Sequence, residues 1–458
     1  MRQPHRAPGS RRQFLTRLAG SAVAGTAALL RSPAADAASW RNWSGSQQVQ
    51  AGAVLYPESE ADLATAVRQA RGPVRVFGGG HSFSPVAVSP GTMISVDQLY
   101  GIVRHDAQRQ QATVRAGTRI AALGEPLQAI GQGLLNEADI NLQSVAGAIS
   151  TATHGTGRAL TCFSATVQAL RLVLADGSIV QCSPEHDADL FEAARVSVGS
   201  LGAITEVTLQ NRAAYRLHET VSVMSTAKAV DLVQRERDQH RHIEFFAFPF
   251  GDTAIVKRMD ISTQAPTPVA KSSDDNDELL EWAADTARRH PWTNVWLQRA
   301  VSFLVSDSQR VGDSFNIFPS PRAVAFNEME YAVPAEQGMA CFAELRDTIR
   351  RAGLDVFFPI EFRYVAADDC WLSPFHRQPS VTLSVHQYYK QDYRPVFAVA
   401  EPILRKHGGR PHWGKLHTLK ARDLAALYPR FEDFNRVRRR VDPEGRFLSP
   451  YAREILVL

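Results

Sequence analysis

A histidine at the end of a triple-glycine segment is the residue of this chain best suited to do chemistry. Residues 74–85 read VRVFGGGHSFSP, so an apolar run passes through Gly78, Gly79 and Gly80 to His81. Glycine lets the backbone adopt φ > 0 and approach a ligand closely, and successive free N–H groups can bind an anion. The pattern predicts that His81 faces a flat or charged ligand, although an isolated GGGH also fits an ordinary loop histidine.

A second candidate is a pair of opposite charges, Glu361 and Arg363, within the apolar stretch PIEFRYV. Residues two apart in a strand lie on the same face, so both side chains can act on one ligand. A carboxylate accepts hydrogen bonds from hydroxyl groups, whereas a guanidinium keeps its charge and stabilises negative charge that develops nearby. The alternative is an exposed ion pair across a sheet.

Two further segments are rich in small residues and are typical of loops that hold a ligand against the backbone. Residues 144–157 read SVAGAISTATHGTG, and residues 199–207 read GSLGAITEV. No segment has the G-x-G-x-x-G spacing between a strand and a helix, so a Rossmann dinucleotide site and NAD are disfavoured. A tight loop between a strand and a helix is the simpler alternative for residues 144–157.

The three segments together resemble the flavin site of FAD-dependent oxidases of the vanillyl-alcohol-oxidase type, which have a PCMH-type FAD-binding domain. Within that group the chain is similar to the aldonolactone and alditol oxidases, including gulonolactone and arabinonolactone oxidases, over nearly all of its length after the N-terminal segment. The resemblance implies FAD as the cofactor, attached covalently through His81. It also implies a cap domain that covers the substrate side of the flavin.

The resemblance assigns cofactor contacts to all three segments. The first and its continuation supply Gly78, Gly79, Gly80, His81, Ser82 and Phe83. The other two supply Ser144, Gly147, Ala148, Ser150, Thr151, His154, Gly155, Gly199, Gly202 and Ile204. Ser144 also matches a serine that faces the substrate in alditol oxidases.

The same resemblance gives catalytic roles to four polar residues. A Glu-x-Arg pair at the place of Glu361 and Arg363 binds substrate hydroxyls and stabilises negative charge on the flavin. The segment HWGKLHT, residues 412–418, matches an HW-x-K element, which makes Lys415 the expected contact of the reacting hydroxyl, and His386 could share that role. Hydride passes from carbon to flavin N5 as the hydroxyl loses its proton, so a base or a cation must lie within hydrogen-bond reach. A plain surface lysine is the alternative for Lys415.

The expected reaction is FAD-dependent oxidation of a sugar 1,4-lactone, with the electrons passing to O2, which gives H2O2, or to another acceptor. HWGK and the C-terminal segment DPEGRFLSPY resemble the gulonolactone and arabinonolactone branch more closely than the alditol branch. Two alternatives stay open. One is an alditol oxidase that acts on a polyol, and the other is a non-catalytic periplasmic protein that uses the flavin fold to bind a ligand.

Short elements of both kinds must position these residues, which predicts an α+β fold. Helices are expected at residues 59–71, 118–132, 335–352 and 395–407, strands at 74–77, 112–116, 324–332, 356–365 and 381–389, and an exposed loop at 260–278. The expected domains are a two-part PCMH-type FAD-binding domain at 47–213, a cap domain at 214–420 and a C-terminal return to the FAD domain at 421–458. In the cap domain we expect a largely antiparallel sheet with helices on one face.

Composition narrows the class of protein. The chain of 458 residues is 44% hydrophobic and has a net charge of +4 with dispersed basic residues, which favours a globular protein and argues against nucleic-acid binding. No apolar run after the N-terminal segment is long enough to span a membrane. The widely spaced Cys162, Cys182, Cys341 and Cys370 are expected to be buried free thiols, although an exported protein could form disulfides.

The first 38 residues predict an export signal. Residues 10–15 read SRRQFL, as in a twin-arginine signal, and precede an apolar region at 18–30 and a cleavage signal at 35–37. Twin-arginine machinery exports folded proteins, so the protein would acquire its flavin first and then reach the periplasm or the exterior. A retained N-terminal anchor is the alternative.

Overall fold

Two large antiparallel sheets dominate the fold, one in each half of the chain. The computed structural model describes residues 38–268, 274–302, 305–320, 322 and 324–458. In the first half the strands are β1 (Ala38–Arg41), β2 (Gln48–Ala51), β3 (Ala53–Leu55), β4 (Val74–Phe77), β5 (Thr92–Ser95), β6 (Ile102–Asp106), β7 (Gln111–Arg115), β8 (Gln132–Leu134), β9 (Val167–Val173), β10 (Ile179–Cys182) and β11 (Ala203–Ala213). The helices there are α1 (Glu60–Gln69), α2 (Gly124–Ala129), α3 (Val145–Ser150) and α4 (Ala188–Arg195).

The second half is built on longer strands and helices. Its strands are β12 (Arg216–Ser225), β13 (His242–Ala247), β14 (Thr253–Ser262), β15 (Ser308–Asp313), β16 (Phe326–Pro334), β17 (Ile360–Val365), β18 (Ser380–Tyr388) and β19 (Arg410–Pro411). Its helices are α5 (Thr226–Glu236), α6 (Asp274–Arg289), α7 (Asn294–Ser302), α8 (Ser314–Ile317), α9 (Gly338–Arg351), α10 (Arg394–Lys406), α11 (Ala421–Leu427), α12 (Phe431–Val441) and α13 (Pro450–Leu456).

The first half contains two sheets of different kinds besides the small β1–β2 pair. Strands β3, β5 and β4 form a parallel sheet in that order. Strands β10, β9, β11, β7 and β6 form an antiparallel sheet, and β8 pairs with the end of β11. This arrangement confirms the two-part α+β organisation, because the parallel and antiparallel parts are separate sheets. The strand expected at 74–77 is confirmed, and the one expected at 112–116 lies one residue earlier.

Helix α1 shows how the local sequence specifies an element. Ser59 is its N-cap, and the Ser59 hydroxyl accepts a hydrogen bond from the Asp62 N–H at 3.1 Å and donates one to the Asp62 carboxylate at 2.6 Å. Leu63 and Val67, one turn apart, are fully buried. The cap and the apolar spacing together confirm the helix expected at 59–71, because both are encoded within a few neighbouring residues.

The helix expected at 118–132 is wrong for much of its length. Only α2 is α-helical, and a single 3-10 turn precedes it at Ile120–Ala122. The backbone N–H groups of Ile120 and Ala121 donate to the carbonyl groups of Gln143 and Asn141, at 3.0 and 2.8 Å. Arg119 is extended, with φ −70° and ψ 141°, and it forms a β-bridge with Ser144, so no helix begins before Ile120. The Ala122 and Leu123 N–H groups then donate to the carbonyl groups three residues earlier, which makes the first turn 3-10.

The second half contains one antiparallel sheet in the order β15, β12, β14, β13, β17, β18, β16, β19. Alternate residues of its strands, such as Tyr331, Phe362 and Leu383, are fully buried in the main core. Helices α9 and α10 contribute Leu345 and Leu404 to the same core. The helices therefore cover one face of the sheet, as expected, and the other face carries the polar residues of the strands.

Some predicted boundaries in the second half are wrong. The strands expected from 324 and 356 begin at Phe326 and Ile360, and the loop expected at 260–278 is shortened at both ends. Strand β14 continues to Ser262 because β12 pairs with it to that point, and α6 begins at Asp274. Residues 269–273 lie outside the described residues. Because this region is rich in polar residues, its sequence predicted a loop where the end of β14 and the acidic first turn of α6 are found.

The C-terminal segment contacts the first half of the chain, as a return to the FAD-binding domain would require. The Val74 N–H donates to the Arg446 carbonyl at 2.7 Å, and the Arg75 guanidinium donates to the Phe447 carbonyl at 2.9 Å. The change of sheet between β11 and β12 falls at the domain boundary expected at residue 213. The domain limits themselves stay a prediction.

Two expectations from composition concern cysteines and membrane spans. All four cysteines are buried free thiols, as expected. Among the residues that the structure describes, no helix is both long and apolar enough to cross a bilayer. The predicted export signal at 1–38 lies outside the described residues except for Ala38, which begins β1.

Candidate active site

Three neighbouring strands of the second-half sheet carry charged residues on its polar face. In β16 the buried Met329 separates Glu328 from Glu330, and in β17 the buried Phe362 separates Glu361 from Arg363. The antiparallel register places His386 of β18 directly opposite Glu328. Strand alternation and register therefore bring these five side chains to one place.

Arg363 lies at the centre of this polar cluster. Its guanidinium lies 2.9 Å from a carboxylate oxygen of Glu330 and 3.2 Å from one of Glu361. All three residues are buried, so the alternative of an exposed ion pair is wrong. Burial alone would lower the pKa of Arg363, but the carboxylates of Glu361 and Glu330 raise it above the ordinary value. The guanidinium is a permanent positive charge in a dry environment.

Glu330 connects Arg363 to the small-residue segment 144–157. Its second carboxylate oxygen lies 2.7 Å from Nε2 of His154, whose Nδ1 lies 2.8 Å from the carbonyl of Gly155. Burial opposes ionisation of Glu330, but His154 and Arg363 together hold its pKa well below the usual range. His154 therefore positions the arginine through Glu330 rather than forming part of the cofactor wall.

Lys415 forms an ion pair with Glu328, and its ammonium group lies 4.9 Å from the centre of the Phe83 ring. Its side chain is only 15% exposed, so the surface-lysine alternative is wrong. His386 Nε2 approaches the other Glu328 oxygen at 3.6 Å and a Glu361 oxygen at 3.8 Å. Burial opposes ionisation of Glu328, but Lys415 and His386 hold its pKa below the usual range. The expected cation is thus present, oriented by a carboxylate.

His412 adds a neutral donor beside Lys415. Burial lowers the pKa of His412 to about 3, so its ring is uncharged near neutral pH. Its Nδ1 accepts a hydrogen bond from the Gly414 N–H at 3.0 Å. The ring proton is therefore on Nε2, because Nδ1 must provide a lone pair.

A cavity on the first-half side of this cluster is lined by most of the residues predicted to bind cofactor. They are Gly78, Gly79, Gly80, His81, Ser82, Ser144, Gly147, Ser150, Thr151, Gly199, Gly202 and Ile204. A Cβ on Gly78 would lie 2.0 Å from the Ser144 hydroxyl, and one on Gly79 would lie 2.6 Å from the Leu142 carbonyl. Gly80 has φ of +63°. Only glycine fits these three positions, so the loop keeps its backbone exposed to the cavity.

His81 lines this cavity and has one ring nitrogen without a hydrogen-bond partner among the described residues. Among the described residues, its buried Nδ1 has no hydrogen-bond partner. The ring stacks on Trp43 at a centroid distance of 5.4 Å. Burial, with the charges of Lys415 and Arg119, lowers the pKa of His81 to about 4. A neutral imidazole with an unpartnered nitrogen is therefore part of the cavity wall.

Four predicted cofactor residues do not line the cavity, namely Phe83, Ala148, His154 and Gly155. Phe83 lies beneath Lys415, and Ala148 is buried in the main core. A Cβ on Gly155 would lie 2.3 Å from the Glu137 carbonyl, so this glycine permits close backbone packing instead. Each of the four residues lies in a segment that resembles a ligand-binding loop, but its packing contacts place it outside the lining of the glycine-lined cavity.

Ser144 caps a helix at the glycine-lined cavity, and the substrate contact that the resemblance implies for it stays a prediction. It is the N-cap of α3, where its hydroxyl accepts a hydrogen bond from the Gly147 N–H at 3.3 Å. It lines the cofactor cavity and does not line the polar cavity around Arg363. The close approach of Gly78 keeps the serine on the cofactor side.

Sequence reasoning missed Glu328, Glu330, Arg75 and the role of His412. Glu328 and Glu330 stand in FNEMEYAVP, where they alternate with apolar residues as Glu361 and Arg363 do. The same two-residue period would have placed both on the polar face. Arg75 is buried and donates to the Val198 and Phe447 carbonyls, so it links distant segments beside the cavity. Nothing local in the sequence signals that contact.

Comparison with known proteins identifies the family. The model of the D-arabinono-1,4-lactone oxidase family matches residues 207–455, and that of an FAD binding domain matches residues 51–183. The chain belongs to the D-arabinono-1,4-lactone oxidase family. It is an FAD-linked oxidoreductase, as the sequence analysis expected.

Relatives of this lactone oxidase family member match over most of their length. An L-gulono-1,4-lactone dehydrogenase from Mycobacterium tuberculosis is 37% identical over 425 residues, which are 91% of this chain and 99% of the relative. The mouse L-gulonolactone oxidase is 29% identical, over 85% of this chain and 90% of the relative. An alditol oxidase from Streptomyces is 28% identical, over 91% and 98%.

Solved structures confirm the fold of the family member. A cholesterol oxidase from Brevibacterium sterolicum superposes with a TM-score of 0.76, covering 91% of this chain and 96% of the other at 15% identity. A solvent-stable cholesterol oxidase superposes with a TM-score of 0.73 at 18% identity. At these identities the similarity concerns the fold alone.

The residues of this lactone oxidase family member fit FAD. Three glycines that tolerate no side chain and the unpartnered His81 Nδ1 form the wall of the first cavity. That cavity and the polar cavity share Gln143, Thr153, His412 and Lys415, so a ring held in the first would border the second. The polar cavity also includes Asp139 and Arg322, which form an ion pair at 2.6 Å. A cofactor and a polyhydroxylated substrate can therefore lie side by side.

Proposed function

We propose that this protein oxidises a CH–OH group of a sugar 1,4-lactone in the polar cavity. The observation that carries the proposal is the meeting of Glu361, Arg363, His386 and Lys415 beside the glycine-lined cavity. Dense hydrogen-bonding groups on one face of a cavity suit a substrate with several hydroxyl groups. The family and its lactone-oxidising relatives support this class of substrate.

The side chains divide the work by charge. Glu361 accepts hydrogen bonds from substrate hydroxyls, and Lys415, oriented by Glu328, contacts the reacting oxygen. The hydroxyl proton would pass to Nε2 of His386, whose Nδ1 donates to the Pro359 carbonyl at 3.2 Å and whose Nε2 lies near the carboxylates of Glu328 and Glu361. FAD, when bound, would supply the acceptor for the hydride of the carbinol carbon. Arg363, fixed by Glu330, stabilises the negative charge that this transfer creates. Because these groups are fixed by buried ion pairs before substrate arrives, little reorganisation is needed during the reaction.

A lactone is favoured over an alditol as the substrate. The lactone-oxidising relative from M. tuberculosis is 37% identical to this chain, whereas the alditol oxidase is 28% identical. Alditol oxidation remains the second candidate because that relative matches over 98% of its own length. Both reactions would use the same hydroxyl-binding groups.

We also propose that FAD is attached covalently through His81. The support is a neutral imidazole whose Nδ1 lacks a partner among the described residues and borders the glycine-lined cavity. A free ring nitrogen is the group that such a bond requires, since its lone pair forms the new bond. A covalent link would also prevent loss of the cofactor after export.

Export through the twin-arginine machinery to the periplasm or the exterior is a further proposal. It depends on Arg11 and Arg12, on the apolar region at 18–30 and on the cleavage signal at 35–37. The electron acceptor would then be O2 or another acceptor available there. The retained-anchor alternative predicts a protein bound to the membrane by the same segment.

Anaerobic reduction of the flavin tests the proposed reaction. The holoenzyme is mixed without O2 with gulono-, galactono- and arabinono-lactones and with xylitol and sorbitol, and the flavin absorbance is followed. Bleaching by lactones is expected, and bleaching only by alditols would support the second candidate. Bleaching by none would support the non-catalytic binding protein. Admission of air then shows whether O2 restores the colour and yields H2O2.

A further inference from the structure

An apolar chamber lies beside the polar cavity on the same face of the sheet. It has a volume of about 390 Å³, and its walls include Val221, Phe246, Phe248, Ile255, Phe357 and Phe358. The sheet register fixes its position, because Phe246 lies directly opposite Glu361 on one side and Ile255 on the other. Side chains that face one another across antiparallel strands project from the same face. The polar face thus becomes apolar towards β14 and β12.

The chamber is continuous with the site of substrate oxidation. The two cavities share Arg322, Phe326 and His386. The ring of Phe326 lies 4.9 Å from that of His386 and 6.2 Å from that of Phe358, so it stands at the boundary. No residue lines both the chamber and the glycine-lined cavity among those described. An occupant of the chamber would therefore contact the substrate, not the cofactor.

The charged groups at the chamber wall are paired with other protein groups. Lys257 donates to the Ser320 hydroxyl at 2.8 Å, and its ammonium group lies 3.8 and 3.7 Å from carboxylate oxygens of Glu219 and Glu244. Arg322 is paired with Asp139 at 2.6 Å, and His386 Nε2 lies 3.6 Å from Glu328. Apart from these groups and Ser320 the wall is aromatic and aliphatic, which binds rings and alkyl groups by burial and by edge or stacking contacts. A free sugar lactone has no group that needs such a surface.

We propose that the chamber binds an aromatic or alkyl group carried by the substrate, so that the preferred substrate is a sugar lactone bearing an apolar substituent. The proposal rests on the proposed lactone oxidation. The polar cavity would hold the sugar ring against Glu361, Arg363 and Lys415, and the substituent would extend past Phe326 into the chamber. Burial of the substituent adds binding energy that an unsubstituted sugar cannot use.

The test compares one aldonolactone with its benzyl ether on the terminal hydroxyl, the position farthest from the oxidised carbon. In the holoenzyme the kcat/KM for the ether is expected to exceed that for the parent by about tenfold or more, as for other apolar pockets. The variant Val221→Trp fills the chamber from β12. It should reduce the ratio of the two kcat/KM values to about one. Ile255→Lys, which places a charge in the chamber, should do the same.

Val103→Trp is the matched control, because Val103 is a 41% exposed strand valine that lines neither cavity. It should leave the ratio unchanged. The proposal is overturned if the wild-type ratio is one or less, or if Val221→Trp preserves a high ratio. It is also overturned if Val221→Trp impairs turnover only when a quinone replaces O2, since the occupant would then be an electron acceptor.

A binding measurement separates this proposal from the proposed function. If no lactone is oxidised, the proposed function fails, and calorimetry with the parent lactone and the benzyl ether tests the chamber directly. Saturable binding of the ether alone, abolished in Val221→Trp, would still support a site for apolar substituents. Equal binding of both compounds, or none, would overturn it.

Discussion

At the level of single residues, the neighbours of His81 that the structure describes leave one of its ring nitrogens without a hydrogen-bond partner and without a proton. Three glycines expose the backbone on one side, Trp43 stacks on the ring, and no described residue forms a hydrogen bond with the buried Nδ1. Burial with nearby Lys415 and Arg119 lowers the pKa of His81 to about 4, so the nitrogen keeps its lone pair. The surroundings therefore support the proposed bond between His81 and the flavin.

The first prediction concerns the covalent link. His81→Ala should yield protein whose flavin is released into the supernatant by acid precipitation, whereas wild-type protein should keep its flavin in the pellet. His105→Ala removes an exposed histidine of β6 and is the control, which should behave as the wild type. Flavin that stays attached in His81→Ala would exclude His81 as the point of attachment.

The second prediction concerns Arg363. Arg363→Ala removes the positive charge and leaves Glu330 and Glu361 buried without it, so the rate of anaerobic flavin reduction should fall by about a hundredfold or more. Arg363→Lys keeps a positive charge but lacks the planar guanidinium group, so its rate of flavin reduction should lie between the rates of the wild type and of Arg363→Ala. Flavin content and Tm are measured in parallel. Near-normal reduction by Arg363→Ala would rule out charge stabilisation by this residue.

At the level of elements, alternation in β16, β17 and β18 divides each strand between two tasks. One set of residues, including Tyr331, Phe362 and Leu383, is fully buried, and the alternate set forms the active site. The two-residue alternation of a strand predicts that Glu361 and Arg363 share one face of β17. It predicts the same for Glu328 and Glu330 in β16. Register is different, because the pairing of Glu328 with His386 depends on which strands become neighbours.

The third prediction concerns Glu137, which joins the segment after β8 to α8. The Ser314 hydroxyl donates to its carboxylate at 2.8 Å, and burial raises the pKa of Glu137 to about 7 from an ordinary value of 4.5. Because the folded state holds this proton more tightly than the unfolded state, the stabilisation is complete below the ordinary pKa. It is lost as the pH rises through about 7.

Glu137→Gln should abolish this loss, because an amide is neutral at every pH. The Tm of the variant relative to wild type should rise between pH 5 and pH 8, by an amount that corresponds to about 3 kcal/mol at most. The control is Glu125→Gln, which changes an exposed glutamate of α2. A difference in Tm that does not vary with pH would contradict protonation of Glu137 in the folded protein.

At the level of the whole molecule, both halves of the chain contribute to the glycine-lined cavity and to the polar cavity. The glycine-lined cavity combines the loop after β4 with the segment that holds His412 and Lys415, and the polar cavity adds Gln143 and Thr153 to the second-half sheet. His154 and Glu330 make a buried contact between residues 176 positions apart. The site therefore depends on the packing of the two halves against each other.

The fourth prediction concerns export of the whole protein. Replacing both Arg11 and Arg12 with Lys should stop accumulation in the periplasm, because twin-arginine machinery recognises the arginine pair. Flavin-loaded protein should then remain in the cytoplasm. The control replaces Arg2 and Arg6 with Lys, which lie outside the pair. Normal periplasmic accumulation of the first variant would exclude this export route.

The sequence by itself determined the features that are encoded locally. These are the glycine loop before His81, the capped helix α1, the alternation in the second-half strands and the family resemblance, each of which depends on spacing between near neighbours. It therefore sufficed for the fold class, FAD and the kind of chemistry. It misjudged residues 118–132 because pairing of Arg119 with the distant Ser144 keeps the start of this segment extended.

Only the tertiary structure decided which charges meet and where apolar surface is left open. Glu328, Glu330 and His154 became parts of the site through strand register and contacts over long separations. The apolar chamber exists because β12, β13 and β14 extend the active-site face with Val221, Phe246 and Ile255. Such relations arise when distant segments pack, and a linear pattern does not specify them.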